Sequence, residues 1–194
     1  MRTLRYIVAA ATAILLNTAM QAQDIRADFE REVAVNAAVK KIDCKFTQTR
    51  SVAVLAEDVV KKGDFSLRQP GDIRLQFEDG DYILMSESEF EIRSEGHVNK
   101  MKVNANPMLK ELKRVLGACM GGDVESIMAG FDSEISANGK NYNVVLTPKS
   151  RKSGMMKSLE LQFCRKDMSL DWMKMTERNG DFTLYTFTEK KIER

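Results

Sequence analysis

Histidine is almost missing from this chain of 194 residues, which holds one, His97. Acid–base catalysis and metal binding near neutral pH lean heavily on that side chain. His97 follows Glu95-Gly96 in a turn, where an exposed imidazole is expected. The three cysteines, Cys44, Cys119 and Cys164, show no CxxC spacing, which argues against a redox or zinc site. One disulfide plus a leftover thiol, or three buried thiols, both fit the count. GxSxG, HExxH and phosphate-loop patterns are missing as well. Glu87, Glu89 and Glu91 alternate like paired carboxylates, but Phe90 and Ile92 occupy the opposite face, so the acids read as a solvated surface. Neither an enzyme, a cofactor nor a metal is expected. After the N-terminal segment no apolar run approaches the roughly eighteen residues that span a bilayer as a helix.

What the sequence does have begins at its start. Met1 to Ala22 reads as a secretory signal peptide. Arg2 and Arg5 supply a basic beginning, Tyr6 to Leu16 an apolar run of eleven residues, and Ala19-Met20-Gln21-Ala22 a cleavage site. Residues 23–194 then form a single exported domain with 28 basic and 28 acidic residues. So balanced a charge gives no reason to expect nucleic acid as a partner.

Asp24 to Lys41 has helical periodicity, with Ile25, Phe29, Val33 and Ala37 recurring every fourth residue. From Ile42 the period falls to two. Alternating segments follow at Val59–Leu67, Asp72–Glu78, Asp81–Ser86, Glu89–Ser94 and His97–Asn104, joined by short turns such as Pro70-Gly71, Asp79-Gly80 and Glu95-Gly96. Asn106 to Gly117 interrupts them as a helix, with Asn106 as cap and Pro107 at its first position. Its apolar stripe is Met108, Leu109, Leu112, Val115 and Leu116. A shorter helix over Asp123–Ala129 precedes five more alternating segments, Phe131–Ala137, Asn141–Thr147, Lys157–Cys164, Leu170–Arg178 and Asp181–Glu189.

The expected fold is therefore mainly β, with ten or eleven antiparallel strands in an unclosed, curled barrel and helices as a lid. One apolar face collects Phe46, Phe65, Leu67, Ile73, Leu75, Phe77, Ile83, Met85, Phe90, Ile92, Met101 and Val103. From the helix, Met108, Leu109, Leu112 and Leu116 face it. Ten methionines outside the leader add flexible thioethers suited to variable apolar shapes. Such a face serves equally as an ordinary core.

Five segments in order carry a family resemblance: FTQ at Phe46–Gln48, KGDFSLRQP with IRLQF at Lys62–Phe77, NPMLKEL at Asn106–Leu112, NVVLTPK at Asn143–Lys149, and DFTLYTF at Asp181–Phe187. Together they resemble the periplasmic carriers of outer-membrane lipoproteins, the LolA-like family. The resemblance implies a monomeric periplasmic chaperone whose cavity takes lipoprotein acyl chains. It would receive them from an inner-membrane lipoprotein-releasing ABC transporter and deliver them to an outer-membrane acceptor. The alternative is a carrier of free lipid or a lipid-linked metabolite on the same scaffold. The family's lid-closing arginine, directly before the turn proline, corresponds to Gln69, with Arg68 one residue earlier. Arg74 matches a basic position in the next strand, and Leu75 stands where a tryptophan is usual.

Overall fold

The computed structural model describes residues 24–128, 130–149 and 156–194; the leader read at Met1–Ala22 lies outside them. Eleven strands form one antiparallel sheet: β1 (Lys41–Ser51), β2 (Val59–Arg68), β3 (Asp72–Phe77), β4 (Tyr82–Met85), β5 (Glu89–Ser94), β6 (His97–Lys102), β7 (Phe131–Ala137), β8 (Asn141–Pro148), β9 (Met156–Cys164), β10 (Leu170–Glu177) and β11 (Phe182–Glu193). Their order is β6-β5-β4-β3-β2-β1-β11-β10-β9-β8-β7. Two meanders thus meet where β1 pairs with β11, running from Lys41 opposite Glu193 to Ser51 opposite Phe182. The edges β6 and β7 do not join, so the sheet curls without closing.

Register follows from alternation, because a slip of one residue would turn every apolar side chain outward. Across the first meander, Phe46 stands opposite Gly63, Gly63 opposite Phe77, and Phe65 opposite Leu75. Leu75 then meets Ile83, Ile83 meets Ile92, and Phe90 meets Met101. The other face is polar. Lys45 pairs with Asp64 at 2.7 Å and Arg68 with Asp43 at 2.9 Å. Exposed pairs of this kind add little stability, yet turned inward the same charges would be ruinous, which keeps the register.

Three helical segments lie over the concave face. The first, α1, covers residues 24–33 and tightens into a 3-10 turn at Ala34–Ala38. The sequence expectation of a helix to Lys41 overshoots, since β1 already begins there. Tightening also changes which residue turns inward. A 3-10 helix repeats every three residues, so Val33, Asn36 and Val39 are buried while Ala37 is exposed. The second helix, α2 (Pro107–Gly121), has the cap expected, Asn106 Oδ1 accepting from the Leu109 N–H at 3.1 Å. It runs four residues past Gly117 and stops at Gly122, whose φ of +81° is left-handed. Gly117 was a plausible stop by composition, but the burial of Ala118, Cys119 and Met120 favours one more turn. The short α3 (Val124–Met128) follows.

The cysteines are free thiols. Burial pushes the Cys44 thiol up to about 12 and raises that of Cys119 further; Cys164 is half-buried.

Two outcomes are expected from this packing. A thiol reagent at pH 8 should modify Cys164 alone in the native protein and all three cysteines in denaturant, because a buried protonated thiol is a poor nucleophile. Gly63→Ala should lower the midpoint of thermal unfolding by several degrees. Its Cβ would fall 2.0 Å from the Gln76 carbonyl oxygen and 2.9 Å from the Phe46 ring, and overpacking of this kind costs roughly 1–3 kcal/mol or more.

Candidate functional site

Two faces are available on this sheet, and only the concave one is apolar. Phe46, Phe65, Leu67, Ile73, Leu75, Phe77, Met85 and Phe90 are all buried on it, while Ile83, Ile92, Met101 and Val103 are half-buried against the same cluster. Val103 has left the strand and sits in a 3-10 turn, Val103–Ala105. The C-terminal meander continues the face with Tyr185, Phe187, Met173, Leu161 and Val144. Aromatic rings meet edge to face across it: Phe46 and Phe77 at 5.3 Å, Phe65 and Phe187 at 5.3 Å.

The helices fill the concavity. From α1, Phe29 inserts between Tyr142 and Phe163, each ring centroid 5.3 Å away. From α2, Leu109, Leu112, Val115 and Leu116 are buried. Met108 departs from the expected stripe. It lies one turn before Leu112 on the same side, but at the helix's first turn, and it is 44% exposed. The cavity left beneath the cover measures about 10 Å³, bordered by Asn36, Ile42, Cys44 and Met120. That is room for about one water, where a ligand site encloses roughly 300–1,000 Å³. A roomier depression of about 350 Å³ lies on the convex side among Asp43, Lys45, Asp64, Arg74 and Glu189. Its charged residues of both signs set it apart from the apolar concave face. The helices thus pack into the apolar trough of the sheet.

At one end the trough turns polar. Gln48 stands opposite both Lys61 and Tyr185, and its Nε2 donates to the Tyr185 hydroxyl at 2.7 Å. Burial holds the Tyr185 phenol up at about 12. Lys61 Nζ lies 5.3 Å from the Phe77 ring centroid and pairs with Asp79 at 2.8 Å, which raises the ammonium above its usual range.

The residues expected to latch the lid separate in space. Arg68 lies on the convex side, on Asp43 and the Ile42 carbonyl oxygen. Arg74 lies there too, donating to Gln76 Oε1 at 2.6 Å and stacked on Tyr82 at 4.7 Å. Both belong to the outward set of their strands, so neither reaches a helix. Gln69 does come to the cover. It follows β2, its N–H donates to the Lys40 carbonyl at 3.0 Å, and its side-chain amide borders Gly121 at the end of α2, 2.9 Å from where a Cβ would sit. Sequence reasoning missed Asn36, a buried polar residue among the helices. The signal was the three-residue spacing Val33, Asn36, Val39.

Comparison with known proteins bears on the family and the fold. A family model described as outer membrane lipoprotein carrier protein LolA matches residues 37–193. A search of curated proteins finds no match. Among solved structures, MucB is similar with a TM-score of 0.52 at 12% identity, over 87% of this chain and 58% of that one. The chain thus spans a little over half the length of MucB. A DUF1329 family protein from Desulfovibrio piger has a TM-score of 0.48 at 10% identity, over 87% of this chain and 93% of that one. The lipoprotein LppX from Mycobacterium tuberculosis has 0.47 at 11%, over 84% and 95%. At such identities the likeness to MucB speaks for the fold alone, while the family model takes in most of the chain: this protein belongs to the outer membrane lipoprotein carrier LolA family.

Proposed function

We propose that this protein is a periplasmic carrier that takes the acyl chains of lipoproteins onto its concave face and conducts them from the inner to the outer membrane. The observation that carries the reading is the nature of the cover. An apolar trough eleven strands wide is closed by separate helices instead of by further strands, so opening leaves the sheet ladder whole.

Magnitudes favour exchange over simple insertion. Lifting Leu109, Leu112, Val115, Leu116 and Met120 off the sheet exposes side chains that contribute roughly 1.5–3 kcal/mol each, a total on the order of 10 kcal/mol. An acyl chain of about sixteen carbons returns a similar amount, at about 0.8 kcal/mol per methylene. Helix and acyl chain therefore compete for one surface on nearly equal terms, which lets cargo enter and leave. The reading involves no chemical step: binding and transfer are its whole content.

A second reading is carriage of a free lipid or lipid-linked metabolite. Gln69 favours it, because a neutral amide beside Gly121 makes a weaker clasp than an arginine would, and a lightly held cover suits a small cargo.

The mature protein, mixed with inner-membrane vesicles bearing a triacylated lipoprotein and its ABC transporter, is expected to draw the lipoprotein into the soluble fraction as a one-to-one complex. Lipoprotein that stays wholly in the vesicle pellet would sink the proposal. Native mass spectrometry of the protein isolated from its envelope separates the readings, since a bound diacylglyceryl peptide supports the first and an unconjugated lipid the second.

A further inference from the structure

We infer that Asn36 is the lock of the helical cover, the side chain whose hydrogen bonds must break before the trough opens. The inference rests on the carrier reading for its purpose, though not for its geometry. Asn36 is 2% exposed and sits in the 3-10 turn between α1 and the sheet. Its Nδ2 donates to the Cys119 carbonyl oxygen at 3.2 Å, in the last turn of α2, and to the Met168 carbonyl oxygen at 2.7 Å, in the β9–β10 turn. Its Oδ1 accepts from Arg194 at 3.3 Å, and Arg194 also donates to the Asp167 carbonyl oxygen at 2.8 Å. One amide thus joins the cover helix, the first helical segment and the frame of the sheet.

Each partner accounts for the choice of residue. The final carbonyls of a helix have no partner within it, so Cys119 offers an acceptor that the fold must satisfy. Met168 offers another, exposed to the interior by its left-handed φ of 54°. Two carbonyl acceptors and one guanidinium donor need a group that donates twice and accepts once, which a neutral amide does. Leu or Ala would leave the acceptors unpaired, and Asp would set a carboxylate against them.

The backbone is shaped to the same junction. At Gly122 a Cβ would lie 2.5 Å from the Ala37 nitrogen and 3.0 Å from the Asn36 carbonyl carbon, so the chain after α2 passes directly over the 3-10 turn. The start of α2 is held by longer reaches: Lys113 Nζ donates to the Ser86 carbonyl oxygen at 2.7 Å and Lys110 Nζ to Asn104 Oδ1 at 2.8 Å. Both are flexible lysines, and Met108 beside them is half in water. The cover is thus tied at its C-terminal end by a buried amide and at its beginning by lysines. Of the Asn36 bonds the one to Cys119 is the one that lifting α2 breaks, and one buried hydrogen bond is of the size that shifts an opening equilibrium roughly two- to tenfold.

Hydrogen exchange read by mass spectrometry tests this on the mature protein. Asn36→Ala and Asn36→Asp are both expected to speed exchange of residues 107–121 several-fold, up to about tenfold, while β1 and β11 keep their protection. Asp nearly preserves the volume, so agreement between the two variants assigns the effect to the lost donors. Arg194→Ala removes the exposed donor to Asn36 Oδ1 without touching the core and should speed the same exchange to a smaller degree; it decides the matter if the Asn36 variants fail to fold. Binding of a fluorescent sixteen-carbon fatty acid should tighten several-fold in step, because more molecules are open. Unchanged protection over 107–121, or helix and sheet losing protection together in every folded variant, would overturn the lock. Selective loosening without any binding of the acyl probe, in wild type or variants, would leave the lock standing and overturn the carrier reading instead.

Discussion

An antiparallel sheet that curls without closing has one face of apolar side chains and no second layer of strands to bury it. Everything else in this protein answers that constraint. Phe29 and Val33 from the first helix and Leu112 through Met120 from the second supply what another sheet would supply in a sandwich. A sandwich, however, joins its layers through strands continuous with both. Here the second layer hangs on turns and side chains, so it is the part of the core that can be exchanged.

That arrangement separates two kinds of stability. The ladder of strand pairs gives the frame its persistence, and the convex ion pairs keep its register. The cover has only packing and a few hydrogen bonds, spread between its two ends. The carrier proposed above would need both properties at once: a frame that survives the exchange and a cover whose attachment is moderate. The free, deeply protonated thiols Cys44 and Cys119 fit this picture as small apolar fillers, one on the sheet and one on the cover.

Much of the frame was readable in advance because a period of two is a strong local signal. Segments such as KGDFSLR and IRLQF state both the strand and the face that turns inward. The end of α2 was less legible than its Asn106 cap. Gly117 looked like a stop because glycine is common there, yet apolar residues beyond it found a core to join, and burial outweighed propensity. Asn36 was invisible for a different reason. A four-residue period carried on from Phe29 and Val33 points to Ala37, and only the change to a three-residue repeat turns the asparagine inward. The depth of the trough was also out of reach. Alternation tells which residues share a face, but how far helices fill it depends on long-range packing that no local pattern records. Arg68 shows the converse: the family resemblance set it beside the latch, but the parity of its strand turns it to the outer surface.

The pairing of β1 with β11 has one more consequence, which concerns time. The central ladder joins Lys41 to Glu193 and Ser51 to Phe182, so the first strand of the sheet waits for the last before its second edge is satisfied. Closing so large a loop before any reward is slow. During the wait β1 presents an open edge of alternating apolar residues, the kind of template that recruits strands from other molecules. Half-made copies of this protein are thus its own most dangerous neighbours, and passage across a membrane as an unfolded chain would lengthen their exposure. A protein proposed to shield the greasy surfaces of others carries the same hazard while it is being made.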